Sequence, residues 1–79
     1  MDREAWTARI TIDPAVHHGE PCIKGTRIPV SLIVGSIADG DRPEDLLAAY
    51  PSLTREDVQA ALSYAAEAVR EAPLVPLAG

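Results

Sequence analysis

The side chains best suited to chemistry fall into three groups, and the spacing within each decides what it can do. His17, His18, Glu20 and Cys22 are metal-ligating types close together in the chain. Adjacent histidines seldom reach one ion together, however, and no second cluster completes a four-ligand set, so no zinc site is expected. Asp39, Asp41, Glu44 and Asp45 have the composition of a calcium loop. Pro43 interrupts them and the downstream ligand of the twelve-residue pattern is missing, which leaves a solvated turn between helices. The third group is Arg55, Gln59, Ser63 and Arg70, hydrogen-bond donors that would reach base edges or phosphates if their helix entered a major groove. Glu56, Asp57 and Glu67 on the same helix would oppose them. No nucleophile has a recognisable base and orienting partner, and no glycine pattern cradles a phosphate, so neither enzymatic activity nor a cofactor is expected.

The elements that position these groups must be built from little material. The chain has 79 residues with no Phe, one Trp and two Tyr, and a domain of this size hides only about 60% of the surface of its unfolded form. Its core therefore rests on Ala, Leu, Ile and Val, and self-association is a natural remedy. No apolar run approaches a membrane span, and the start Met-Asp-Arg-Glu-Ala-Trp lacks the apolar core of a signal peptide, so a cytoplasmic protein is expected. Cys22 is the single cysteine, read here as a small buried hydrophobe. The net charge is −5, and residues 39–79 carry all of it, with three arginines against eight acids. That half repels phosphate and favours a basic protein partner over nucleic acid.

Residues 1–8 form an arm without a firm signal, in which Trp6 should pack on the body or on a second copy. Arg9-Ile10-Thr11-Ile12 alternates at period two and is closed by Asp13-Pro14, the pattern of a half-buried strand. Pro21-Cys22-Ile23 and Arg27-Ile28 flank Lys24-Gly25-Thr26 as a hairpin whose turn needs the positive φ of Gly25, and Pro29 stops the second leg. Such short strands must pack on helices, pair with another chain, or both. Three helices are predicted. Val30–Asp39 ends at a left-handed Gly40, with Gly35 admitting a close neighbour; a second runs from Pro43 to Tyr50; a third from Thr54 to about Ala72. Thr54 and Asp57 form the third helix's capping box, Leu53 staples to Val58, and Val58, Leu62, Ala65 and Val69 are its predicted buried face. The tail 73–79 is apolar and proline-rich, and its default is to fold back on the core. Three helices with a tight second connection have the layout of a helix-turn-helix body.

Ile12-Asp13-Pro14, Gly19 with Pro21, Ile23-Lys24-Gly25-Thr26-Arg27-Ile28-Pro29-Val30, Gly40 with Pro43-Glu44, Tyr50-Pro51, Leu53-Thr54 and Asp57-Val58 together resemble the domain-of-unknown-function family four hundred and thirty-three. The resemblance spans residues 9 to about 67, and its most specific part is Gly25-Thr26-Arg27-Ile28-Pro29-Val30. It implies a mainly α, homeodomain-like domain over 9–72 with short strands that pair between two copies, placing Ile10, Ile12, Ile23 and Ile28 on dimer strands. It also implies kinship with VapB-like antitoxins, whose partners are toxins of the PIN-like ribonuclease type. Lys24 and Arg27 are then candidates for phosphate contact in a dimer on operator DNA, beside Arg55, Gln59 and Ser63; otherwise they are solvated or paired with Glu20 or Asp13. The chain departs from the family at Arg42, where a capping Ser is common, and in its short tail, which lacks a long toxin-wrapping extension. Two further functions stay open, a stand-alone helix-turn-helix regulator and a non-catalytic dimeric adaptor.

Overall fold

The computed structural model describes residues 1–71; the predicted end of the last helix at Ala72 and the tail 73–79 lie outside them. Mainly helical, the chain carries one small antiparallel sheet. Helix α1 (Arg3–Thr7) leads into β1 (Ile10–Thr11), a tight turn at His17–Gly19, β2 (Cys22–Ile23), α2 (Val30–Ala38), α3 (Pro43–Ala49) and α4 (Arg55–Glu71). The strands pair with Ile10 opposite Ile23 and Thr11 opposite Cys22. No helix among these residues is long and apolar enough to cross a membrane.

Local chemistry sets most boundaries. Pro29 sits at the extended N-cap of α2, and α2 ends in a Schellman motif at Gly40, φ +103. There the Gly40 amide donates to Ile37 and that of Asp41 to Ser36. Pro43 opens α3, where Asp45 accepts the Arg42 amide at 2.8 Å; Arg42 itself has no acceptor for the helix's amides, so only half of a capping box forms. At α4 the box is complete: Thr54 Oγ1 accepts the Asp57 amide at 3.1 Å, and Asp57 Oδ2 accepts the Thr54 amide at 3.0 Å.

Ile23, Val30, Ile33, Leu46, Leu53, Val58 and Ala61 form the core, one or two from each element around it. Ala60 and Ala61 are fully buried, and their small side chains let the neighbouring helices α1 and α2 lie close against α4.

The fold corrects four expectations. Residues 1–8 hold a helix, capped by Asp2 Oδ1 on the Ala5 amide and packed along α4. The buried face of α4 is Asp57, Val58, Ala60 and Ala61, with Leu62 37% and Val69 74% exposed. The face is rotated because α1 and α2 both pack on the helix, and Val69 is on neither buried side. Gly35 is exposed, and a methyl group there would meet nothing within 4 Å, so no close neighbour explains it. Finally, Arg27-Ile28 is no regular strand; that leg touches β2 through a single bridge between Cys22 and Pro29.

Candidate functional site

The Gly25-Thr26-Arg27-Ile28-Pro29 stretch is a scaffold for two cations. Gly25 has φ +81 with open space around it, so it is required by backbone conformation and not by crowding. The Ile23 carbonyl accepts both the Thr26 amide at 3.0 Å and the Thr26 hydroxyl at 2.8 Å, and that hydroxyl oxygen accepts the Ile28 amide at 3.0 Å. One side chain thus stitches both legs of the turn. From the other side, His17 Nε2–H donates to the Arg27 carbonyl at 2.9 Å. His17 and His18 themselves have φ of 49 and 57, a left-handed conformation that costs an L-residue about 1–2 kcal/mol.

Lys24 and Arg27 project from this scaffold, exposed and without an ion pair among the described residues. Neither pairs with Glu20 or Asp13. Glu20 accepts the Ser31 hydroxyl, and Asp13 accepts the Ala15 amide. The arginines elsewhere are mostly neutralised: Arg3 by Glu67 at 2.8 Å, Arg9 by Asp57 at 3.1 Å, Arg42 by Asp45 at 3.7 Å and Arg55 by Glu44 at 3.1 Å. Among the described residues, Asp39, Asp41 and Glu56 stay exposed and without an ion pair on the helical half.

The predicted reading face of α4 is only partly assembled. Arg55 and Gln59 are exposed, but Arg55 is held by Glu44, and Ser63 is half-buried beside Arg3 and Trp6 of α1. Arg55, Gln59 and Leu62 instead line a shallow hollow of about 280 Å³ with Pro43 and Val58.

Of the four predicted strand residues, Ile23 is spent on the protomer's own core, Ile10 and Ile28 pack partly against it, and Ile12 is 57% exposed. The Lys24 amide donates to the Arg9 carbonyl at 2.8 Å, and the Ile23 amide donates away from β1 to Ile28. By the alternation of an antiparallel ladder, the amide and carbonyl of Ile10 point away from β2, and among the described residues nothing pairs with this outer edge of β1. Beside it lies a trough of about 330 Å³ lined by Trp6, Thr7, Ile10, Ile12 and Tyr64.

Trp6, now placed, is buried edge-to-face on Tyr64, centroids 6.0 Å apart at 87°, with the Arg3 guanidinium over its indole. The sequence signal for this packing was Asp2 as a helix cap three residues before Ala5. Cys22 is buried, its Sγ–H donating to the Glu20 carbonyl at 3.4 Å. Burial first and the Glu20 charge second push its thiol up, which keeps it protonated and unreactive. The metal-capable side chains are therefore dispersed: His17 faces Arg27, and Cys22 faces the interior.

These elements define a small, mainly helical domain with one two-stranded antiparallel ribbon, a stitched basic turn and an acid-rich helical half. Residues 10–65 match the family described as protein of unknown function (DUF433), and the chain belongs to that family. It is similar to the crystal structure of a DUF433 member protein from Anabaena variabilis ATCC 29413, with a TM-score of 0.74 and 32% identity over 90% of this chain and 80% of that one. It is also 39% identical over 56 residues to "Uncharacterized protein y4eO" of Sinorhizobium fredii (strain NBRC 101917 / NGR234). That match takes in 71% of this chain, which spans only 25% of the curated relative's length.

Proposed function

We propose that this chain is the antitoxin of a type II toxin–antitoxin pair, a non-catalytic cytoplasmic protein that binds and neutralises a PIN-like ribonuclease. The observation that carries this reading is the segregation of charge. Asp39, Asp41 and Glu56 stand unpaired on the helical half while Arg42 and Arg55 beside them are neutralised. A face of that kind speeds encounter with a protein built to hold RNA and repels nucleic acid itself.

In this reading α2, α3 and α4 form a homeodomain-like helix-turn-helix body, and two copies join along the outer edges of β1. Antiparallel pairing centred on Thr11 sets Ile10 opposite the partner's Ile12, satisfies the outward amides, and covers Ile12 with the trough beside Trp6 and Tyr64. The paired modules contact their own promoter through Lys24 and Arg27, the unpaired cations of the turn, while Arg55, held by Glu44, contributes less.

Co-expression with the product of the adjacent gene tests the reading. A stoichiometric complex that suppresses ribonuclease activity, and is weakened when Asp41 and Glu56 are changed to Asn and Gln, is the expected result. Recovery of the chain alone, or of a partner with no nuclease activity, overturns it; the latter leaves a dimeric adaptor. A stand-alone regulator is the second reading, favoured by the free Lys24 and Arg27. It requires promoter binding without the toxin, with an affinity that falls as salt rises.

A further inference from the structure

Among the described residues, the hollow between the start of α3 and the outer face of α4 gives the helical half an apolar surface amid its acids. Val58 forms its buried floor, Leu62 and Pro43 its apolar walls, and Gln59 and Arg55 its rim. Arg55 brings little net charge to that rim, because Glu44 holds its guanidinium at 3.1 Å. Glu56 lies one helical turn from Gln59 and is unpaired, and Asp41 precedes the α3 cap, also unpaired. The surroundings are thus anionic and the centre is greasy. A second copy of this chain would bring its own surplus of acid to the same place, and a duplex would bring phosphates, so both meet repulsion there.

We propose that this hollow is an anchor pocket for a basic segment of a partner protein, receiving one branched apolar side chain against Val58 and Leu62 while flanking Lys or Arg side chains meet the unpaired Glu56 and Asp41. The proposal deepens the antitoxin reading by naming the contact through which the basic partner is held. An interface anchored this way concentrates its affinity in the apolar side chain that fills the pocket, with the charges setting orientation and encounter rate.

The test is a methyl-resolved NMR titration of the full chain. The probes are a synthetic peptide with one leucine between flanking lysines, a twin with serine for that leucine, a twin with glutamates for the lysines, and a short DNA duplex. The expected result is saturating shifts of the Val58 and Leu62 methyls with the leucine peptide, binding of the serine twin weaker by about tenfold or more, and no binding of the glutamate twin. Leu62→Ser, at a position already partly exposed, should cost the leucine peptide a similar factor while leaving the melting temperature nearly unchanged. Equal binding of the serine twin, shifts centred on Ile10 and Ile12, or the same Val58 and Leu62 shifts with DNA each overturn the proposal. A ribonuclease partner that binds Leu62→Ser as tightly as the parent also overturns it and leaves the antitoxin reading standing; a chain with no ribonuclease partner fails that reading while the peptide titration still decides the pocket.

Discussion

Asp57 joins the amino-terminal strand to the longest helix, and replacing it with alanine removes two interactions at once. Its carboxylate closes the cap on the Thr54 amide at 3.0 Å and receives the Arg9 guanidinium at 3.1 Å. Loss of the cap costs about 1 kcal/mol. The ion pair is worth less than its geometry suggests, because the Arg9 side chain is 39% exposed against 10% for Asp57, and solvent screening holds it to about 0.5–1 kcal/mol. Together Asp57→Ala should destabilise the domain by about 1.5–2 kcal/mol, lowering its melting temperature by about 6–16 °C at this size. Asp57→Asn keeps an oxygen for the Thr54 amide and should lose about half as much. The assay is thermal and urea unfolding followed by far-ultraviolet circular dichroism on both variants, on Arg9→Ala and on the double variant. The coupling between Arg9→Ala and Asp57→Ala should be about 0.5–1 kcal/mol. A fall of less than about 3 °C in Asp57→Ala, or additivity within error in the cycle, refutes the account of a carboxylate with two duties.

Gly35→Ala, exposed and with free space for a methyl group, should stabilise the domain by about 1 kcal/mol in the same unfolding assay; a loss of stability would reveal a contact made by this face in an assembly. Because burial raises the Cys22 thiol, the folded chain holds that proton more tightly than the unfolded one. Its contribution is complete below about pH 8.5, where the unfolded thiol ionises, and is lost as pH rises, so the urea midpoint should fall above that pH, and fall less in Cys22→Ala. If two copies pair along β1 as proposed, Ile12→Asp, at a position 57% exposed, should leave the fold intact and reduce the mass seen in light scattering from two chains to one; an unchanged mass removes β1 from that proposal.

What could be read in advance was local. The caps at Gly40 and at Thr54 with Asp57, the proline at the head of α3 and the Gly25 turn each depend on residues a few positions apart, and each stands where the residue types put it. The strand at Ile10 was legible from alternation. What was illegible depended on neighbours distant in sequence. Helix α1 is only five residues long and lies along α4 through Trp6 on Tyr64 and Arg3 on Glu67, pairs separated by more than fifty positions. The same docking turns α4, so Leu62 and Val69 sit outside although their spacing is that of a buried stripe. At the candidate site, residue types single out Lys24, Arg27, Arg55, Gln59 and Ser63 as candidates. Which of them keep a free charge was decided by Glu44 on another helix, and no periodicity announces that.

Hydrogen bonding across β2 has a further consequence for assembly. That strand is engaged on both sides, by β1 and by the leg that runs into Pro29, and Pro29 has no amide to offer a newcomer. The ribbon can therefore be extended in one direction only. In the proposed pair each copy would use the one open strand rim among the described residues, so polymerisation would halt at two, and a chain with so lean an interior could lend out a bare strand without seeding fibres.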